Sequence, residues 1–171
     1  MSKAKDSGKD TTAWLEMLAN KDGMLRQKAR EALVKLGKPA VPSLIQALQP
    51  SQPDQVRWEA AKALGAISDV RSIPVLVETL EDGDSGVAWL AAEALRPFNQ
   101  AAWVPLLHAL VARGADSVPL RQGAHHVLHN QDGAGFNDAL AALLKALELN
   151  TVPEATVVAA NDFLKRLETK T

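Results

Sequence analysis

Three neighbouring histidines are the side chains of this sequence best suited to bind a metal or to move protons. His125 and His129 are four residues apart, with His126 between them, and such spacing places two residues on one face of a helix. The pair suits a zinc ion, but zinc needs further ligands and groups that orient them. His125 also stands where two similar helices carry Ala61 and Ala92. Partial burial is the simpler interpretation, and we predict no metal and no cofactor.

Other patterns that could carry catalysis are weak. The chain has no cysteine, which excludes disulfides, thiolate catalysis and cysteine-bound metals. The stretch Gly133 to Gly135 lacks the third glycine and the preceding strand of a dinucleotide-binding loop. Asp82 and Asp84 share one predicted turn and most simply cap the helix that follows. We therefore predict a binding protein that is not an enzyme.

Two tryptophans are the strongest candidates for binding. Trp58 and Trp89 are 31 residues apart and hold the same position in two similar segments, so we expect their indoles to lie side by side. Exposed tryptophans are favoured at the centres of protein interfaces, and contiguous apolar surface usually marks a binding site. The alternative is that both rings lie over neighbouring alanines and cover the core.

The elements that position these side chains are repeated helices. Leu33, Leu64 and Leu95 are 31 residues apart and mark one helix type. Between them lies a second type, in which proline (Pro42, Pro74 or Pro105) occupies the first turn, where a missing N–H costs nothing. The pattern predicts ten helices in five pairs, at about 11–36, 39–66, 71–97, 99–129 and 135–168. Stacked pairs share a core, so we predict one domain over 11–171 after a disordered tail at 1–10.

Residues 56–80 resemble the short HEAT-like repeat of the phycobilisome-lyase type. The matching residues are Val56, Arg57, Ala60, Ala61, Ala63, Leu64, Gly65, Ile67, Asp69, Arg71, Pro74 and Leu76. The first and third repeats match in part, with Ala88 in place of the arginine and Arg96 in place of the glycine. The resemblance implies an all-α, right-handed α-solenoid of about five stacked HEAT-like helix pairs. Arg57 and Arg71, with Asp69, are expected to be structural members of the repeat, in which an arginine with a buried stem reaches a turn aspartate in the next layer.

In such solenoids the second helix of each pair lines the concave face, and we expect this face to bind a protein or peptide. Glu31, Lys62 and Glu93 alternate in sign there, which favours a ladder between layers or recognition of a partner. Val158 and Asp162 continue the same positions into the fifth pair. The predicted binding residues are Gln27, Glu31, Trp58, Glu59, Lys62, Trp89, Leu90, Glu93, Gln122 and His126.

Composition limits the possible partners. A net charge of −1 argues against binding to nucleic acid or anionic lipid. The sequence has neither a membrane-spanning run nor a secretion signal, so we predict a cytoplasmic location and no membrane contact. We therefore expect a non-enzymatic interaction scaffold with a protein partner. Alternatives are a lyase or accessory factor for tetrapyrrole attachment and a HEAT-like DNA-binding or DNA-repair module.

Overall fold

The computed structural model describes residues 11–148 and 152–169. The predicted disordered tail at 1–10 lies outside these residues. Over the described ranges the chain forms helices and turns and no strand, which confirms the predicted all-α solenoid. The helices are α1 (11–17), α2 (Gly23–Leu36), α3 (Val41–Ala47), α4 (Asp54–Ile67), α5 (Ile73–Thr79), α6 (Ser85–Leu95), α7 (Trp103–Arg113), α8 (Val118–Leu128), α9 (Asn137–Ala146) and α10 (Pro153–Glu168).

The helices stack pair by pair, and each pair forms one layer of the solenoid. Helices α2, α4, α6 and α8 pack on one another in that order, while α5 packs against both α6 and α7. Ala60, Ala91 and Ala124 are fully buried in α4, α6 and α8. Their small side chains allow these neighbouring helices to approach closely. The helices approach closely at Gly65, where a Cβ atom would lie 2.8 Å from the Cβ atom of Ala94.

A buried arginine ties adjacent pairs together. The Arg57 Nε and Nη2 atoms donate to the two carboxylate oxygens of Asp82, at 2.8 and 2.7 Å. Only 8% of the Arg57 side chain and 5% of the Asp82 side chain are exposed. The hydrogen bonds from Arg57 to Asp82 raise the pKa of the guanidinium, since they stabilise its charged form. The expectation that an arginine reaches a turn aspartate in another layer is therefore confirmed.

Arg71 makes a second connection between pairs. Its guanidinium donates to both oxygens of Asp69 at 2.9 Å and to the backbone oxygen of Lys38 at 3.0 Å. The side-chain hydrogen bonds of Arg71, followed by its backbone N–H, lower the pKa of Asp69 from 3.8 to about 2. The hydrogen bond from Arg71 to Lys38 thus holds the turn before α5 against the turn before α3, while Asp69 fixes the guanidinium within its own turn.

The last pair stacks differently from the others. Helix α10 packs along α7 as well as against α9, because Phe163 inserts between two aromatic rings. The centre of its ring is 5.3 Å from that of Trp103 and 5.9 Å from that of Phe136. Val158 and Asp162 therefore line a hollow between α9 and α10. The expectation that they continue the binding surface of the earlier second helices is wrong.

No helix within the described residues is long and apolar enough to cross a membrane.

Candidate binding groove

The side chains predicted to bind a partner belong to α2, α4, α6 and α8. The solvent-facing side of these helices is here called the second-helix face. It carries Gln27, Trp58, Trp89 and Gln122 at equivalent positions. Trp58 and Trp89 differ in environment despite their equivalence in sequence. The Trp58 ring is half-buried, whereas 55% of Trp89 is exposed.

Trp58 covers the helix that follows it in the stack. A Cβ atom at Gly86 would lie 3.0 Å from the indole Nε1 atom of Trp58, so the ring rests against the first turn of α6. On its other side, the Lys62 Nζ atom lies 3.8 Å from the ring centre, a cation–π contact. Trp58 therefore matches the alternative interpretation, in which the ring covers the core.

Trp89 contacts a histidine of the next helix. Its ring centre lies 4.1 Å from that of His126, with an angle of 41° between the planes. The His126 Nε2 atom also makes a short contact with the Glu93 carboxylate. The expectation that the two indoles lie side by side is thus wrong: Trp89 pairs with His126, and Trp58 pairs with Lys62.

Glu59 is not available on this face. It is 3% exposed, accepts a hydrogen bond from Arg30 and lies 3.5 Å from the Nε atom of Arg26. A buried carboxylate needs such cationic partners, and the two arginines come from the preceding second helix. The expectation that Glu59 meets a partner protein is therefore wrong, and the residue instead ties α4 to α2.

The alternating charges do not form a continuous ladder. Glu31 accepts a hydrogen bond from Gln27 of its own helix, at 2.8 Å, and Lys62 is held over Trp58. Only Glu93 reaches the next layer, through His126. Leu90 is half-buried and packs against the core. The exposed aromatic residue of the second-helix face, Trp89, thus lies at its α6–α8 end.

A groove of about 540 Å³ opens there between α6 and α8. Ala88, Ala92 and Gly123 form its floor, and Trp89, Gln122 and His126 form its walls. The floor consists of small residues, which leaves space above them. Gly123 packs closely on the C-terminal end of α5, since a Cβ atom there would lie 2.8 Å from the Cδ2 atom of Leu80. This groove offers a mostly apolar surface with an amide and an imidazole at its edge, which suits a peptide segment. Ser85 and Asp82 also line it, and the Asp82 carboxylate is paired with Arg57.

The groove extends along α8 towards the last pair. Its continuation, about 440 Å³ in volume, is lined by Trp89, Gln122, His125, His126, Leu147 and Glu148. The rings of His125 and His129 lie 5.5 Å apart. Among residues 11–148 and 152–169, no three His, Asp or Glu side chains converge as metal ligands would.

One residue near the groove, Arg96, is not among the predicted binding residues. Arg96 follows α6 and lies 3.6 Å from Glu93, where the second repeat has Gly65. The replacement of a repeat glycine by arginine was visible in the sequence. Its proximity to the histidines required the packing of α8 against α6.

The repeat architecture agrees with a comparison to known families. A family described as HEAT repeats matches residues 11–96, which make up half of the chain. The chain belongs to the HEAT-repeat family. The match covers α1 to α6, and therefore includes Trp58 and Trp89 of the second-helix face.

Two curated proteins are similar to this HEAT-repeat chain, and both are named phycocyanobilin lyase subunit alpha. The protein from Picosynechococcus sp. is 33% identical over 73 residues, covering 43% of this chain and 27% of its own length. The protein from Nostoc sp. is 41% identical over 101 residues, covering 57% of this chain and 35% of its own length. The chain therefore spans between about a quarter and a third of the length of the curated relatives it matches.

These relatives contradict the prediction that the chain is not an enzyme. Both are named as subunits of a lyase, and lyase activity is enzymatic. A lack of thiols, glycine loops and metal ligands does not exclude an enzyme, because a HEAT-repeat surface presents side chains from several helices and leaves no compact motif in one segment.

Proposed function

We propose that this chain is a HEAT-repeat module that binds a protein partner, and that a segment of the partner occupies the groove between α6 and α8. The observation that supports this proposal is the exposure of Trp89 above a floor of small residues. Elsewhere on the second-helix face the equivalent groups are satisfied within the chain, as the Trp58–Lys62 and Glu59–Arg30 contacts show. Within residues 11–148 and 152–169, the groove is the place where open volume meets an exposed aromatic anchor.

Selection from a random peptide library displayed on phage tests this proposal and does not require an identified partner. The immobilised wild-type protein should enrich related peptide sequences. The Trp89→Ala variant should bind the enriched peptides at least about thirtyfold more weakly, as expected for a central aromatic anchor. Val104→Ala is a matched control, because Val104 is an exposed apolar residue on α7, outside the second-helix face.

The outcome depends on which variant changes peptide affinity. Loss with Trp89→Ala and retention with Val104→Ala would support the groove. Peptides that bind Trp89→Ala as tightly as wild type would remove the groove from the proposal. Circular dichroism of both variants would establish that each is folded.

A second candidate function is participation in the attachment of a tetrapyrrole to a protein. The observation that favours it is the name of the two relatives, phycocyanobilin lyase subunit alpha. Absorbance titration of phycocyanobilin with the purified chain tests this candidate. A spectral change that saturates and requires Trp89 would support it, whereas an unchanged spectrum would count against it.

A further inference from the structure

A smaller recess lies beside the groove and has a uniform chemistry. It has a volume of about 290 Å³ and is lined by Arg96, His125, His126, His129 and Asn130. Every one of these side chains carries N–H groups that can donate hydrogen bonds, and none is a carboxylate. His126 lines both the groove and the recess, so the two are adjacent.

Arg96 is unlike the other arginines in the described part of the chain. Seven of them donate hydrogen bonds: Arg26, Arg30, Arg57, Arg71, Arg113, Arg121 and Arg166. The guanidinium of Arg96 has only a contact with Glu93 at 3.6 Å, which is too long for a hydrogen bond. Its donors therefore remain available to an acceptor that enters the recess.

Two of the departures from the repeat pattern meet at this recess. Arg96 stands where the second repeat has Gly65, and His125 stands where the second and third repeats have Ala61 and Ala92. Arg96 follows the last residue of α6, and His125 lies in the last turn of α8. At both positions a small residue of the second repeat is thus replaced by a nitrogen donor that lines the recess.

Two carboxylates lie near the recess. Glu93 contacts His126 and Arg96, and Glu148 lines the groove continuation together with His125. Neither lines the recess itself. A guanidinium with free N–H groups binds a carboxylate through paired, charge-assisted hydrogen bonds.

We propose that the recess binds a carboxylate of the protein segment that occupies the groove. This inference rests on the proposed function of the groove. The segment carries an apolar side chain, which lies on Ala92 and Gly123 beside Trp89, followed closely by an aspartate or glutamate. The acid group passes His126 and accepts hydrogen bonds from Arg96, with His129 and Asn130 as further donors.

A short peptide pair tests the inference directly. The probe is the dipeptide N-acetyl-Leu-Glu amide, and its neutral control of nearly equal shape is N-acetyl-Leu-Gln amide. NMR signals of the Cε1–H groups of His125, His126 and His129 report occupation of the recess. The acidic dipeptide should produce shifts that saturate, with an affinity about tenfold higher than that of the neutral dipeptide, as a charge-assisted hydrogen bond provides.

Two arginine variants separate the recess from general surface charge. Arg96→Gln should lower the affinity for the acidic dipeptide about tenfold and leave the neutral dipeptide unaffected. Arg113→Gln should change neither affinity. It is a close control because Arg113 is 45% exposed and faces a glutamate, as does Arg96, which is 43% exposed.

Several results would overturn the carboxylate assignment. These are equal affinities for the two dipeptides, shifts that do not saturate, and an acidic dipeptide that ignores Arg96→Gln. Inorganic phosphate that binds the recess more tightly than the acidic dipeptide would also overturn it, in favour of a phosphate ligand.

Failure of this inference is distinguishable from failure of the groove. Equal, saturable binding of both dipeptides that depends on Trp89 would retain the groove and remove only the acid group. Selected peptides that bind independently of Trp89 would remove the groove itself, whatever the dipeptides do.

Discussion

Two arginine–carboxylate pairs show how burial decides the value of an interaction. Arg57 with Asp82 and Arg113 with Glu81 both connect different helix pairs, each with a nitrogen–oxygen distance of 2.7 Å. Both members of the first pair are buried, whereas the second pair is partly in solvent. Loss of one partner from the buried pair leaves a charge without its counter-ion. In the exposed pair, water replaces the missing partner.

We expect Arg57→Met to lower the free energy of unfolding by about 3 kcal/mol, because it leaves the Asp82 carboxylate buried without its cation. The methionine keeps most of the packing of the arginine stem. Arg113→Met is the matched control and should change stability by at most about 1 kcal/mol. Urea denaturation of both variants measures the difference. Equal losses would contradict the assignment of Arg57 as a tie between layers.

Asp69 provides a prediction that depends on pH. Its pKa is lowered to about 2 by Arg71, so the folded chain holds the carboxylate charged more strongly than the unfolded chain does. The resulting stabilisation is complete above pH 3.8 and is lost as the pH falls towards 2. Arg71→Gln should return the pKa of Asp69 towards 3.8, as measured by carbon-13 NMR of the carboxyl group. An unchanged pKa in that variant would show that the arginine is not its main cause.

At the scale of helices, small residues set how closely the layers stack. Gly65 faces Ala94 across the α4–α6 contact, and a Cβ atom at Gly65 would lie 3.0 Å from the backbone Cα atom of Ala94. A backbone atom cannot move aside as the end of a long side chain can. The separation of α4 and α6 therefore depends on a glycine at this position.

We expect Gly65→Ala to destabilise the fold by roughly 1–3 kcal/mol through overpacking. The substitution improves helix propensity by about 1 kcal/mol, so a net loss would show that the contact between layers dominates. Gly23→Ala is the control, since its Cβ atom would meet only the end of the Arg26 side chain, at 3.4 Å. Thermal unfolding measures both, and a stabilised Gly65→Ala protein would contradict the close contact.

Much of the helix stacking could be predicted from the sequence, because the spacing of Leu33, Leu64 and Leu95 already implies stacked helices. The layer of Ala60 and Ala91 followed from the same register. What the register could not show is which equivalent residues become exposed. Trp58 and Trp89 hold the same position, but Gly86 lies beneath Trp58, whereas His126 lies beside Trp89.

At the scale of the whole molecule, the fifth pair breaks the regular order. Phe163 inserts between Trp103 and Phe136, and α10 therefore lies along α7. Sequence periodicity could not predict this change, since the pattern of α10 alone does not indicate which neighbour covers its apolar side. The same change ends the second-helix face near α8 and places the groove close to that end.

We expect Phe163→Ala to lower the free energy of unfolding by about 3–5 kcal/mol, because it empties the space between two aromatic rings. We further propose that the stacked pairs form one cooperative domain. Within each protein, tryptophan fluorescence and far-ultraviolet circular dichroism should then change at one common urea concentration. That concentration should be lower for the variant than for the wild-type protein. Two separate transitions would contradict a single domain.

The central claim is that the groove beside Trp89 is the surface that binds a partner. The chain has four tryptophans, and their indole N–H groups give NMR signals from different parts of the fold. Addition of a peptide selected on the wild-type protein should move the Trp89 signal most and leave Trp14 and Trp103 unchanged. Largest changes at Trp14, Trp58 or Trp103, with Trp89 unmoved, would contradict the claim.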